Sequence, residues 1–324
     1  MLCIISEEVD STTDIVCNWL NYYQCPFIRI NREKTTKYEV VVCLGEQKEE
    51  IIIKRGITEY NLSDIEKVWF RRGLFDFRQG HYDILLDNTA KQCIDAHLSD
   101  ECNTLESFLY YILKQKNGIN HPFVYNYNKL TALHEAQKAG LKIPQTLITG
   151  NGEIIRNFIA FHEQCITKNI QDVIFLRFDD NSQISQSTVR IKKEEIKLSK
   201  YWYSLFQKEI TKKYELRIFF FMGKFYTAAI FSQRDPTSSI DFRNVDINGE
   251  RPNRIVPFSL PTFIKNKIRK LMKTLKLESG SIDIIVDKQD DYYFLEVNPV
   301  GQFNFVGQIC NYYIEKNIAQ NLAI

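Results

Sequence analysis

Short apolar runs separated by polar turns fill the first 86 residues. Leu2–Ser6, Phe27–Ile30, Glu39–Leu44, Glu50–Lys54 and Val68–Arg72 read as strands, and the spacing over Thr12–Tyr23 predicts a helix. Strands mixed with one crossover helix make a small α/β unit. Residues 88–116 place Ala, Leu, Ile, Phe and Tyr at helical spacing as far as a stop at Lys116-Asn117-Gly118. His121-Pro122 marks a boundary. Beyond it the pattern predicts a strand at Phe123–Tyr125, a helix over Lys129–Ala139 stopped by Gly140, and a strand at Gln145–Thr149. A helix near Glu153–Gln164 and a strand at Cys165–Lys168 follow. From Tyr201 onward β-runs dominate, including Glu215–Met222 and Phe225–Ser232 joined at Gly223-Lys224, before a helix from Pro261 to Leu277. Asp235-Pro236-Thr237-Ser238-Ser239 reads as a mobile loop between the last long strands and that helix.

The most chemical part of the pattern lies late in the chain. Ser281-Ile282-Asp283-Ile284-Ile285-Val286-Asp287 and Tyr292-Tyr293-Phe294-Leu295-Glu296-Val297-Asn298-Pro299 flank the polar Lys288-Gln289-Asp290-Asp291, which is a hairpin pattern. A two-residue loop at Gln289-Asp290 places Asp283 opposite Glu296, and Asn298, two residues on, projects from the same face. Two carboxylates and an amide oxygen then converge in a mostly apolar hairpin. Like charges that close repel and are costly to bury unless a hard cation such as Mg²⁺ lies between them. A solvated face would seldom set Ile and Phe beside the acids, so the metal reading outweighs the bland one.

Composition narrows the class. The 324 residues leave room for two or three packed units, and a net charge of only +2 argues against nucleic acid as a partner. No apolar run is long enough to cross a bilayer, and Met1–Ser6 is too short and too quickly acidic for a signal peptide. The eight cysteines are scattered without a Cys-x-x-Cys pair, which points to reduced, buried thiols and a cytoplasmic setting.

Upstream residues make sense around the metal pair. Lys129 and Lys168 stand at strand–helix junctions, where polyphosphate binding needs them. Phe206-Gln207-Lys208-Glu209-Ile210 ends one strand and Glu215-Leu216-Arg217 begins another. Such a hinge offers backbone groups to an adenine edge, and an acid just beyond it can hold ribose hydroxyls. Ile240-Asp241-Phe242-Arg243-Asn244 adds a second arginine after a loop. Arg217 and Arg243 can each clamp a phosphoryl or carboxylate group through a planar fork, the competing reading for either alone being a surface ion pair. None of the five histidines is placed as a convincing general base, which leaves an acid such as Asp241 for proton removal.

The order Lys, Lys, Gln-x-Glu-Ile, Glu-x-Arg, Asp-Phe-Arg-Asn, Asp, Glu-x-Asn-Pro resembles the ATP-grasp superfamily over roughly residues 123–310. Trp69-Phe70-Arg71-Arg72-Gly73, Lys213-Tyr214-Glu215-Leu216-Arg217-Ile218-Phe219, Asn298-Pro299-Val300-Gly301-Gln302-Phe303 and Cys310-Asn311-Tyr312-Tyr313 are similar to the ATP-grasp peptide maturases. Within these they resemble the graspetide (ω-ester-containing peptide) synthetases of the subgroup paired with a SPASM-domain protein. The resemblance implies an α/β (α+β) ATP-grasp fold: a small N-terminal α/β domain (1–120), a central subdomain (121–206) and a C-terminal antiparallel-sheet ATP-binding subdomain (207–324). It implies that Lys129, Lys168, Gln207, Glu209, Ile210 and Glu215 bind ATP, and that Asp283, Glu296 and Asn298 hold two Mg²⁺ ions. Arg217, Arg243 and Asp241 are left for catalysis. Such enzymes join Asp or Glu side chains of a precursor peptide with a leader segment to Ser/Thr hydroxyls or Lys amines of the same peptide. The implied partners are that peptide and a SPASM-domain protein, with a homodimer open and neither nucleic acid nor membrane expected.

One departure stands out: Asn169-Ile170-Gln171-Asp172-Val173, after Lys168, lacks the glycines of the usual phosphate flap. Two other readings stay open. One is an amino-acid ligase of the ribosomal-protein glutamate ligase type, although Asn-Pro-x-Gly-Gln-Phe departs from that group's Asn-x-Ser-Pro-Gly. The other is an ATP-binding scaffold without catalysis.

Overall fold

The near-continuous apolar run Leu2–Glu7 forms β1, whose Cys3, Ile4 and Ile5 are at most 2% exposed, as a parallel strand covered on both faces requires. The computed structural model describes residues 1–32, 38–45, 50–73, 88–121, 128–171, 175–177, 183–185, 188–233 and 253–324. Their contacts divide the chain into two compact units, Met1–Tyr127 with Tyr313–Ile324, and Asn128–Tyr312.

In the first unit α1 (Ser11–Tyr22) carries the chain from β1 to β2 (Phe27–Arg32), a parallel crossover. Asp10 caps α1 through the Thr12 backbone N–H and holds the Ser6 and Thr13 hydroxyls as well. A separate antiparallel sheet follows, made of β3 (Glu39–Cys43), β4 (Glu50–Arg55) and β5 (Thr58–Asn61). The chain then re-enters the parallel sheet with β6 (Lys67–Phe70), leaves it through α2 (Asn88–Lys114), and returns with β7 (Asn117–Ile119). The strand order is β2-β1-β6-β7. The predicted helix stop at Asn117-Gly118 thus opens a short strand. Only glycine fits there, because a Cβ on Gly118 would lie 1.9 Å from the Val68 carbonyl oxygen. Of the predicted elements, the strand at Phe123–Tyr125 and the loop at Asp235–Ser239 lie outside the described residues.

The second unit opens with α3 (Lys129–Lys138), capped by the Asn128 side chain, and then β8 (Thr146–Asn151), α4 (Gly152–His162) and β9 (Cys165–Lys168). The strands β10 (Phe175–Arg177) and β11 (Gln183–Ser185) pair with each other. β12 (Val189–Ile191) and β13 (Lys200–Lys208) complete a sheet of order β12-β9-β13-β8, with Ile155 and Ile159 of α4 buried against Cys165 and Phe206.

Long antiparallel strands make the second sheet: β14 (Lys212–Phe221), β15 (Lys224–Phe231), β16 (Arg254–Pro257), then α5 (Thr262–Thr274), β17 (Ser279–Asp287) and β18 (Tyr292–Asn298). Their order is β16-β15-β14-β17-β18. Pro261 is the residue that precedes the first turn of α5. Every residue of β17 is buried. Its even-numbered side chains share a face with Gly280, which meets Met272 of α5, and its odd-numbered positions carry the polar groups of the site. The short α6 (Asn304–Ile309) packs on β14 and β15. Finally α7 (Ile314–Ala323) belongs to the first unit, where it lies along α1.

Candidate active site

Glu296, Asp283 and Arg217 stand directly opposite one another across β18, β17 and β14, so their side chains leave the sheet on one face. Arg217 Nη1 lies 2.7 and 2.8 Å from the two Asp283 carboxylate oxygens, with both side chains largely buried. The Nε of Arg217 is sealed from solvent and has no hydrogen-bond partner among the described residues. Lys129, at the first turn of α3, brings its ammonium within 3.7 Å of Glu296 and donates to the Gln171 carbonyl at 2.7 Å. Two acids and two cations therefore share one patch, and each acid has a cation beside it.

The opposition of Asp283 and Glu296 matches the sequence expectation, but the turn is built differently. The loop has three residues, Lys288, Gln289 and Asp290, closed by the Asp287 N–H donating to the Asp291 carbonyl at 3.0 Å. The Asp287 carboxylate caps it by accepting from the Gln289 and Asp291 N–H groups, and Asp290 takes the left-handed conformation. That loop alone would set Asp283 opposite Leu295. Leu295 is instead an extra residue, bulged out of β18 between the pairs Ile284–Phe294 and Asp283–Glu296. The bulge restores the register.

Asn298 follows Glu296 on the same face, opposite Ser281. Its Oδ1 accepts from the Val300 N–H at 3.0 Å, and its side chain is exposed. The chain then folds back over the sheet. Ser281 Oγ donates to the Gln302 carbonyl, and Phe303 lies 4.4 Å from Phe219, centroid to centroid. A Cβ on Gly301 would come within 2.5 Å of the Ser281 Cβ, which accounts for the glycine in Asn-Pro-x-Gly.

Asp283, Glu296 and Asn298 offer only hard oxygen atoms, the donor set that suits Mg²⁺. Among the described residues no three His, Cys, Asp or Glu side chains cluster as a metal cage. Two acids and one amide fit an ion that keeps water and phosphate oxygens among its ligands.

The remaining sequence candidates fall nearby or outside view. Gln207, fully buried on β13, donates to Thr146 Oγ1 at 2.9 Å, and its own Oε1 has no partner among the described residues. Glu209 is gripped by Arg190 through two bonds of 2.8 and 2.7 Å, and the Lys208 and Glu209 N–H groups are taken by the Gln145 and Gln164 carbonyls. Ile210 is half-buried beyond them, and Lys168 ends β9 opposite Leu205. Asp241 and Arg243 lie outside the described residues. Glu215 is buried on the face of Arg217, with Oε1 accepting from Lys212 and from Ser232 Oγ. Burial pushes its carboxyl above the ordinary range, against the pull of the Lys212 ammonium and the Ser232 hydroxyl. Sequence reasoning missed Lys212, Ser232 and Arg190.

Comparison with solved structures places this fold among known enzymes. A RiPP-associated ATP-grasp ligase from Chryseobacterium gregarium, in complex with ADP and with a leader and a core peptide, superposes with a TM-score of 0.82 at 28% identity, covering 99% of this chain and 96% of that one. The macrocyclase MdnC from Microcystis aeruginosa MRC, bound with its precursor peptide MdnA, superposes with a TM-score of 0.79 at 25% identity, covering 99% of both chains. The ATP-grasp ligase PsnB, complexed with a phosphomimetic variant of a minimal precursor, Mg and ADP, shares the fold at a TM-score of 0.72 and 20% identity, covering 99% of this chain and 97% of its own. No family model matches the chain, and no curated protein matches it.

Proposed function

We infer that the chain, an ATP-grasp ligase of the kind that macrocyclises ribosomal peptides, activates Asp or Glu side chains of a precursor peptide with ATP and couples them to Ser/Thr hydroxyls or Lys amines of the same peptide. The observation that carries the reading is the row Glu296–Asp283–Arg217 with Lys129 beside it, on a chain that follows a peptide-bound ligase almost end to end.

Each turnover has two steps. A substrate carboxylate oxygen attacks the γ-phosphorus of ATP and releases ADP, giving an acyl phosphate. A hydroxyl or amine of the same peptide then attacks the acyl carbon, loses its proton, and expels phosphate. The ester or amide weighs one water less than the starting peptide. Lys129, Lys168 and the hinge Gln207, Glu209 and Ile210 hold the nucleotide, with Glu215 on its ribose. Asp283, Glu296 and Asn298 would hold Mg²⁺, with two ions expected, and the metal would supply neutralisation of the phosphoryl oxygens. Arg217 and Arg243 neutralise the acyl phosphate and the tetrahedral oxyanion, while Asp241 accepts the proton. The domains at 1–120, 121–206 and 207–324, the cytoplasmic setting, the SPASM-domain partner and a homodimer belong to the same reading, on the sequence resemblance.

Co-expression with a precursor peptide followed by mass spectrometry tests it. Expected is loss of one water per link, with one ADP formed for each, and mild alkali restoring the water to esters only. Glu296→Gln should lower turnover by about 10²–10³-fold while the protein stays folded, since Glu296 is partly exposed and its loss strands no buried charge. Addition of an amino-acid mass would select the amino-acid ligase instead, and unaltered peptides would sink both.

A further inference from the structure

We propose that Lys212 and Ser232 are positioning residues that fix the Glu215 carboxylate so that its second oxygen receives a ribose hydroxyl of the nucleotide. The proposal rests on the nucleotide-site reading above and adds two residues to it. Lys212, Glu215 and Ser232 are 8%, 6% and 0% exposed. Lys212 and Ser232 both bond Oε1, with Ser232 Oγ at 2.8 Å. No hydrogen bond reaches Oε2 among the described residues, yet Oε2 is not one of the sealed, unpartnered side-chain atoms. One oxygen is anchored and the other stays open.

The backbone is irregular at the place that makes this contact. Strand alternation would put Lys212 and Glu215, three residues apart, on opposite faces. Lys213 is an extra residue between the pairs Lys212–Asp287 and Tyr214–Val286, and this bulge turns Lys212 to the side of Glu215. Glu215 also shares its face with Arg217, two residues on, and so with the charged row. As a purely structural device a buried ion pair is weak, since apolar side chains of similar volume stabilise as well or better. The chemistry of the open oxygen narrows its ligand. A carboxylate already countered by an ammonium repels phosphate and gains little from a second cation. A neutral hydroxyl donor suits it best, as a charge-assisted bond without a further charge to bury.

The test compares ATP with 2′,3′-dideoxy-ATP in the full chain with its precursor peptide. The wild type should favour ATP by about tenfold to hundredfold in KM, the value of a hydrogen bond to a charged group. In Lys212→Met that preference should shrink severalfold, chiefly through KM for ATP, with kcat at saturation nearly unaltered, and Lys212→Arg should restore part of it. Ser232→Ala should narrow the preference less, and carries the test if Lys212→Met does not fold. An equal loss for both nucleotides would mark Lys212 as structural and overturn the proposal. A wild type that ignores the missing hydroxyls would remove Glu215 from the ribose and the proposal with it. Water loss from the peptide would still stand as a separate result.

Discussion

At Asp10 one buried carboxylate accepts bonds from the Thr12 N–H and from the Ser6 and Thr13 hydroxyls, and lies 3.5 Å from Arg71 Nε. Burial works to raise its pKa. The charges of Arg71 and Arg72 and the bonds from Thr13 more than offset this, so the group sits below the ordinary value of 3.8. A depressed folded pKa contributes stability above the unfolded value, and that contribution is lost as pH falls through the folded one. Asp10→Asn should therefore cost about 3 kcal/mol at pH 7, and the gap from wild type should close below about pH 4. Denaturant titrations at several pH values measure both. Glu296 and Asn298 were legible at this scale because period-two alternation ties them to one face from local sequence alone. Their opposition to Asp283 came out right because the longer loop and the bulge compensate each other. The pairing of Arg217 with Asp283 was not legible, since the two are 66 residues apart in sequence and only the strand order makes them neighbours.

Strands and helices read well wherever the apolar run was long. The two bulges escaped, although they set the site: Lys213 in β14 brings Lys212 to Glu215, and Leu295 in β18 brings Glu296 to Asp283. A bulge leaves no mark in the polar pattern beyond one residue out of phase, which a single hairpin absorbs by shifting its loop. The expected two-residue loop and the observed three-residue loop with a bulge give the same opposition for that reason. Deletion of Leu295 separates the two accounts. In the observed hairpin it removes only the extra residue and leaves Glu296 opposite Asp283, so ATP turnover should largely persist, with the sheet intact by circular dichroism. Loss of turnover in a folded deletion variant would mean that a two-residue loop without a bulge sets Glu296, since the deletion then turns Glu296 and Asn298 to the other face. The strand β7 escaped for another reason: three residues after a helix stop carry too little pattern, and their pairing with β6 depends on Gly118 lacking a Cβ.

For the molecule as a whole, the α/β character and the long antiparallel sheet were visible in the sequence. The return of α7 to the first unit was not, because no local signal says which surface a short amphipathic helix will cover. Ile314, Ile318, Ala319 and Leu322 are buried on it, Lys67 caps its last turn by donating to the Asn321 and Leu322 carbonyls, and Lys316 lies over Trp19. Burying the large side chains stabilises by about 5 kcal/mol, a substantial share of what holds a domain folded. A chain ending at Tyr312 should accordingly lose its first unit to limited proteolysis while residues 128–312 resist. Equal resistance of both units would show α7 to be dispensable.

The same helix decides when the protein can finish folding. Chains commonly fold from the N-terminus as they are synthesised, each domain closing once it has emerged. Here β1 and α1 emerge before the second unit, but Tyr313–Ile324 follow every residue of it out of the ribosome. The second unit can therefore close on the nascent chain while the earlier-made one still waits with the α1 surface uncovered. A chaperone that shields apolar helices during translation should accordingly find its longest-lived target in α1, and let go only after α7 has emerged.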